Sequence, residues 1–281
     1  MIEVKTLGGP LGAEIRGVDP RQPLDADSVK TINQAFIDNL VIRFRDAPMS
    51  IAQVRDLSRY FGVLRPHVAK NYRDAEFPEV VIMTNQDANG NFDAVGAGRG
   101  VGWHVDGTFH QEPPKATLLH SVALPDHGGN TAFANMYMAY DTMPAELQRR
   151  AEGKFAMHRL RGRKHNTQGI VNAEDLKKMT DVMHPVIRTH PETGKKAVFV
   201  NPHHTLCIVG LAQKESDELI DEICAWCARD EFQWEQEWKV GDTILWENRS
   251  AWHSGRSDYP KNQLRKFYRT SLFEFGSAAA H

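Results

Sequence analysis

His104-Val105-Asp106 sets an imidazole and a carboxylate two residues apart, and a second imidazole, His253, follows Asp106 by 147 residues. Successive side chains of an extended segment alternate, so the first pair presents to one face. Two imidazoles and one carboxylate form the facial triad that holds Fe(II) by one side and leaves the opposite positions open. Arg265 and Arg269 lie 12 and 16 residues beyond His253, on a strand read over 264–273. Spaced four apart, they share a face of that strand. A keto acid chelating the iron needs a cation for its far carboxylate, and a guanidinium supplies a two-pronged one. Two buried guanidiniums are costly without anions to meet them. The alternative is a solvated pair on an edge strand.

Short strands must position these groups. Segments 11–15, 40–44, 80–83, 116–123, 131–134, 232–239, 242–246 and 264–274 read as strands, and 186–189 with 197–200 as a hairpin about His190-Pro191-Glu192-Thr193-Gly194-Lys195. Helices are expected from Asp25 or Asp27 to about 40, from the cap Ser50 to Phe61 with Gly62 as the stop, near 144–151, and over 213–230. The Gly-, Asn- and Asp-rich stretch 85–102 reads as a lid loop before the metal motif. The basic segment 152–184 reads as a loop-helix insertion. Many short strands with few peripheral helices imply a mainly β chain, a jelly-roll barrel, here as one domain over 1–281.

A net charge of −2 supplies no global field toward nucleic acid or an anionic membrane. No charged leader precedes an apolar core at Met1-Ile2-Glu3-Val4-Lys5, and no apolar run approaches the roughly 20 residues of a membrane span. Three cysteines, Cys207, Cys224 and Cys227, do not make a disulfide framework. The expectation is a cytoplasmic protein that binds neither nucleic acid nor membrane.

Trp103-His104-Val105-Asp106-Gly107-Thr108-Phe109, Gly128-Gly129-Asn130-Thr131, His190-Pro191 through Phe199-Val200-Asn201, Leu245-Trp246-Glu247-Asn248-Arg249, and His253 with Arg265 and Arg269 follow in one order along almost the whole chain. In these motifs the chain resembles the TauD/TfdA family of Fe(II)- and 2-oxoglutarate-dependent dioxygenases. The resemblance implies a double-stranded β-helix of the jelly-roll, cupin-like kind. It implies that His104, Asp106 and His253 ligate iron and that Thr131 and Arg265 hold the distal carboxylate of 2-oxoglutarate. It also implies that Arg269 faces the substrate, with His67, Tyr72 and His204 at pocket positions. The implied reaction consumes O2, hydroxylates a small anionic organic acid such as a sulfonate or aryloxyalkanoate, and releases succinate and CO2. Related halogenases replace the carboxylate ligand by a small residue; Asp106 is retained, so hydroxylation is expected. Desaturation, ring closure or carbon–heteroatom cleavage would share that first step. Taurine-type enzymes carry an Asn four residues before the first metal histidine; here Gly100 stands there, leaving room for a bulkier acid. A homodimer or homotetramer is likewise implied by resemblance.

Other signals have plainer readings. Arg99 could reach the substrate, though the plainer reading is a solvated loop arginine. The glycines of 96–102 fail the dinucleotide spacing, because Val101 stands at the third required position. Cys224-Ala225-Trp226-Cys227 reads as helix packing, and His203-His204 as one surface and one pocket residue. The competing function is a barrel holding metal without oxygen chemistry, a zinc hydrolase or a sensor, which would not need Thr131, Arg265 or Arg269.

Overall fold

Asp25 and Ser50 begin the two N-terminal helices as their side chains allow: the Asp25 carboxylate accepts from the Ser28 amide, and Ser50 forms a reciprocal capping box with Gln53. The computed structural model describes residues 1–66, 72–87, 89–160, 162 and 180–274. Its elements are β1 (Glu3–Thr6), β2 (Ala13–Arg16), α1 (Ala26–Asn39), β3 (Val41–Phe44), α2 (Ile51–Ser58), β4 (Val63–Leu64), β5 (Val80–Thr84) and α3 (Ala94–Ala97). Then come β6 (Ala116–Ala123), β7 (Thr131–Asn135), α4 (Met136–Asp141), α5 (Ala145–Ala151), β8 (Phe155–His158), β9 (Val182–Pro185), β10 (Ile187–Thr189) and β11 (Lys196–Val198). The chain continues through β12 (Thr205–Ile208), α6 (Gln213–Cys227), β13 (Gln233–Gln236), β14 (Thr243–Glu247), β15 (Ala251–Gly255) and β16 (Lys266–Phe273).

The large sheet runs β1-β2-β3-β14-β6-β16-β4, with β5 also on β16. Facing it is the sheet β13-β7-β15; β12-β8-β9 and the hairpin β10-β11 form two further small sheets. Aromatic contacts join the two faces: Phe133 of β7 and His253 of β15 lie 5.6 and 4.7 Å from the Trp246 ring of β14. This is the expected jelly roll. Period-two alternation sorts the large sheet's side chains into two cores. Leu119, Ile244, Trp246 and Phe267 point into the space between the sheets, where the larger core lies. Ala116, Leu118, Leu245 and Leu272 point outward and pack with Phe36, Val54 and Leu57 of α1 and α2.

On β16 and at Arg265 just before it, that alternation puts Arg265, Phe267 and Arg269 on the inner side and Thr270 on the helix side, where its hydroxyl meets Ser58 Oγ at 2.8 Å. The register shift on pairing with β6 leaves this parity intact, because Lys266 and Phe267 face Ala123 and Ser121, so the extra residue belongs to β6.

Two local expectations are corrected. Helix α2 ends at Ser58, before Gly62, whose φ is not positive. A Cβ at Gly62 would sit 2.6 Å from the Phe273 carbonyl, so this glycine serves close approach to β16 and does not cap. The segment 152–184 begins and ends in strands β8 and β9, with 161 and 163–179 outside the described residues. Periodicity missed them because their buried positions include His158 and His184, which hydropathy counts as polar. Cys227 is buried in the inner core and Cys224 packs against it, the packing role expected. Among the described residues no helix is long and apolar enough to cross a membrane.

His120 on β6 gives the fold a pH dependence. Its side chain is 1% exposed, accepts from the Met49 amide through Nε2 and meets Thr243 Oγ1 through Nδ1. Burial pushes its pKa down to about 4. The unfolded chain therefore binds a proton that the folded one refuses, and stability falls as pH drops from about 6.5 toward 4. His120 alone accounts for about 3 kcal/mol of that loss, at 1.36 kcal/mol per unit. Denaturant unfolding across this pH range should flatten by that amount in His120→Gln; an unchanged slope would assign the loss to other groups.

Candidate metal centre and anion site

His104 and His253 approach through backbone pairing. Each amide donates to the other's carbonyl, at 3.0 and 2.9 Å, as an antiparallel bridge beside β15. The two rings lie 4.1 Å apart. Asp106, two residues on, turns to the same point: its Oδ1 is 3.8 Å from His104 Nε2 and 3.7 Å from His253 Nε2. One donor atom from each of the three residues falls within 4.8 Å of the others, and all three are buried.

The surroundings select which atoms can bind. His104 Nδ1 sits 2.7 Å from the Gly102 carbonyl, so Nδ1 carries the proton and Nε2 offers its lone pair. Asp106 Oδ2 accepts from Thr117 Oγ1 at 2.6 Å and from Arg269 Nη2 at 2.8 Å, leaving Oδ1 for a cation. Thr117 accepts in turn from Asn248 Nδ2 at 3.0 Å, and Asn248 Oδ1 from Trp246 Nε1 at 2.9 Å. Burial alone would raise the Asp106 carboxyl; Arg269, the two imidazoles and the Thr117 hydroxyl outweigh it and hold the group well below the carboxylate range. Burial and the neighbouring His104 push His253 well below the ordinary imidazole value, so it stays neutral and able to ligate. Two imidazole nitrogens and one fixed carboxylate oxygen suit a divalent metal of the Fe(II) kind.

The second anchor is β16. Arg265 donates through Nε and Nη2 to the Gly129 carbonyl, at 3.2 and 2.8 Å, and lies 4.4 Å over the Phe267 ring. Burial pulls its pKa down to about 10, and among the described residues it forms an ion pair with no carboxylate. Thr131 is two residues beyond Gly129; its Oγ1 accepts from Trp238 Nε1, and the Trp238 ring packs 4.9 Å from Phe267. Thr131 and Arg265 thus belong to one wall. Gly129 must be glycine, because a Cβ there would lie 2.9 Å from Arg265 Nε.

Of the anticipated pocket residues, His204 is buried with its ring 6.2 Å from His104 and 5.0 Å from Phe109. Tyr72 lies beneath Arg99, whose guanidinium is 3.4 Å from the ring centre. His67 lies outside the described residues. Two plainer readings are corrected. His203 is half-buried and joins the cluster, with its ring 5.3 Å from His104, and so is more than a surface residue. Arg99 is not solvated, since its Nε and Nη2 are buried. Both depend on how the stretch before His104 folds over β15, which no local pattern encodes. Thr117 carried no sequence signal, and Asn248 only its place in the 245–249 motif. They meet through the pairing of Trp246 with Thr117 between β14 and β6.

The family described as taurine catabolism dioxygenase TauD, TfdA family matches residues 3–271. An alkylsulfatase of Acinetobacter baylyi is 29% identical over 100% of this chain and 87% of its own length. An alpha-ketoglutarate-dependent 2,4-dichlorophenoxyacetate dioxygenase of Cupriavidus pinatubonensis is 30% identical over 87% of this chain and 88% of its own. Among solved structures, a taurine dioxygenase from Burkholderia xenovorans superposes with a TM-score of 0.79 at 29% identity, covering 97% of this chain and 91% of that one. These similarities favour the oxygenase over a zinc hydrolase or sensor.

Proposed function

The chain belongs to the TauD, TfdA dioxygenase family, and from that premise we propose that it hydroxylates a small anionic organic acid, a sulfate ester, aryloxyalkanoate or sulfonate. As a family member it is an Fe(II)- and 2-oxoglutarate-dependent dioxygenase that uses O2. The observation that carries the substrate reading is Arg269, inward-facing on β16 beside the candidate metal ligands, with one nitrogen of its fork on Asp106. The relatives named for alkyl sulfates and for a chlorophenoxyacetate support the same class.

In this reading His104, Asp106 and His253 hold the iron, and the donor chemistry and spacing fit it. Bound together, iron and 2-oxoglutarate supply the activation of O2 and the decarboxylation to succinate and CO2. The protein's own groups position and exclude. Thr117 and Arg269 keep Oδ2 of Asp106 occupied, so the carboxylate offers a single oxygen. Arg265 and Thr131 receive the distal carboxylate of 2-oxoglutarate with donors from both side chains. Arg269 has one nitrogen on Asp106, and the rest of its fork meets the anionic group of the substrate. His204, beside His104 and Phe109, borders that pocket; His67 and Tyr72 are proposed substrate residues by family position alone. We also read the protein as one catalytic domain acting in the cytoplasm as a homodimer or homotetramer, without nucleic acid or membrane partners.

The test is succinate formation with Fe(II), ascorbate and a panel of sulfate esters, aryloxyalkanoates, sulfonates and phosphonates. Substrate-stimulated succinate is expected with at least one anionic class; stimulation only by neutral compounds would refute the reading. Arg265→Ala should weaken 2-oxoglutarate binding by roughly a hundredfold, the cost of leaving one partner of a desolvated charge pair alone. Equal binding in that variant and in wild type would remove Arg265 from the site.

A further inference from the structure

Arg99 carries more than its loop position suggests. Its Nε and Nη2 are both buried, and among the described residues neither has a hydrogen-bond partner. The Tyr72 ring covers one side of the guanidinium at 3.4 Å. Tyr72 also favours the charged form through a side-chain hydrogen bond, but among the described residues no acid meets Nε or Nη2, and buried N–H donors left unmet are expensive. The nearest acidic influence, Asp93, is committed elsewhere, because its oxygens accept from the Val95 and Gly96 amides at 3.0 and 2.9 Å.

The cavity beside Arg99 is small, and Arg265 also lines it, together with Met83, Thr84, Asn85 and Tyr259. No carboxylate side chain lines it among the described residues. Asp258, the acid closest in effect to Arg265, accepts from the Gly129 amide at 2.9 Å. Two guanidiniums around one acid-free space repel each other until an anion lies between them. The backbone sets Arg99 on the co-substrate side. The Gly255 amide donates to the Gly100 carbonyl at 2.6 Å, Val101 bridges to Gly255, and Gly255 is the register partner of Thr131. A left-handed turn at Gly100, with φ of 71°, separates Arg99 from the metal ligands.

We propose that Arg99 is a third residue of the co-substrate anion site, binding with Arg265 and Thr131 the distal carboxylate of 2-oxoglutarate. The inference rests on the reading above that this carboxylate lies at Arg265. It makes the stretch before His104 a part of the co-substrate site as well as a cover for the metal ligands.

Titration of the Fe(II)-loaded, oxygen-free protein with two keto acids tests it, read by the visible charge-transfer band of the chelate. Pyruvate can chelate in the same way but lacks the distal carboxylate. Arg99→Gln should weaken 2-oxoglutarate by roughly ten- to a hundredfold, the range for one charged hydrogen-bonding group, and leave pyruvate unchanged. Arg99→Lys, which keeps the charge and loses the fork, should fall between. It also serves as the working variant if Gln does not fold by near-UV circular dichroism. Unchanged 2-oxoglutarate affinity with a raised substrate KM would overturn the proposal and give Arg99 to the substrate. Equal weakening of both keto acids would overturn it too, as damage to the chelate. Loss confined to Arg99 variants leaves the co-substrate reading standing. Absence of the band in wild-type protein would sink that reading and this proposal together.

Discussion

Asp106→Ala is expected to lower turnover by about a thousandfold or more, because metal chemistry is worth several kcal/mol of barrier and the variant removes the only anionic ligand. Two imidazoles, His104 and His253, would be left to hold a dication against a nearby guanidinium. The removal also frees Arg269, now paired at 2.8 Å with Asp106 Oδ2, as an uncompensated cation beside the metal. Metal affinity should therefore fall further than loss of one donor atom alone would cause. Succinate formation and iron stoichiometry after gel filtration measure the two effects. A variant keeping stoichiometric iron and a tenth of wild-type turnover would show that Asp106 is not a ligand. Thr117→Val is the milder companion: Oδ2 keeps Arg269 but loses the 2.6 Å hydroxyl, and tenfold to a hundredfold is the usual cost of an outer partner.

The largest stability effect is expected at Glu247, on the strand that carries Trp246. Its carboxylate is fully buried and accepts from His190 Nε2 at 2.8 Å, Arg249 Nε at 2.7 Å and Ser250 Oγ at 3.0 Å. Burial would raise its pKa; His190 and Arg249 outweigh burial and hold the group below the ordinary carboxylate value. Arg249 is itself buried and reaches Glu192 and Glu274 at 2.8 and 2.5 Å with its remaining nitrogens. Glu247→Ala leaves the guanidinium with only half-exposed partners and His190 Nε2 with none on this side. Removing one member of a buried ion pair costs about 3–5 kcal/mol, which in a chain of this size lowers Tm by roughly 10 °C. Thermal unfolding measures it. Glu247→Gln, which can still accept two of the bonds, should lose less. A shift below about 2 °C in the Ala variant would mean that water already neutralises the cluster. Because the Glu247 pKa is depressed, its contribution is present above the unfolded carboxylate value and is lost as pH falls through the folded one. The His120 effect lies at higher pH, between about 6.5 and 4, so the two are separable.

Glu247 also bears on the site. Its neighbour Asn248 holds Thr117, and Thr117 holds Asp106. The sequence block 245–249 therefore joins a stability cluster facing one way to a ligand-positioning residue facing the other. The motif was recognisable in the sequence; the division of labour within it was not, because it follows from which side of β14 each residue takes and what the partner strand sets opposite.

How far the chain alone was readable varies with the range of the interaction. Strands β6, β7, β14 and β16 and helices α1 and α6 were anticipated to within a few residues, since alternation, helical spacing and caps act over two to four positions. Strands β1, β4, β8, β9, β12 and β15 were missed; buried histidines disguise β8 and β9, and the others run to five residues at most. The donor set His104, Asp106 and His253 was legible from residue type and order, and so was the inward face shared by Arg265 and Arg269, because both follow from covalent spacing along a strand.

What tertiary structure alone decided is who meets whom. Arg269 lies on Asp106, Arg265 lies on the Gly129 carbonyl, and Arg99 leaves solvent for the cavity it shares with Arg265. Spacing along a strand determines the direction in which a charge points. Its partner depends on distance and on exclusion of water across segments more than a hundred residues apart, and these exist only once the sheets have closed on each other.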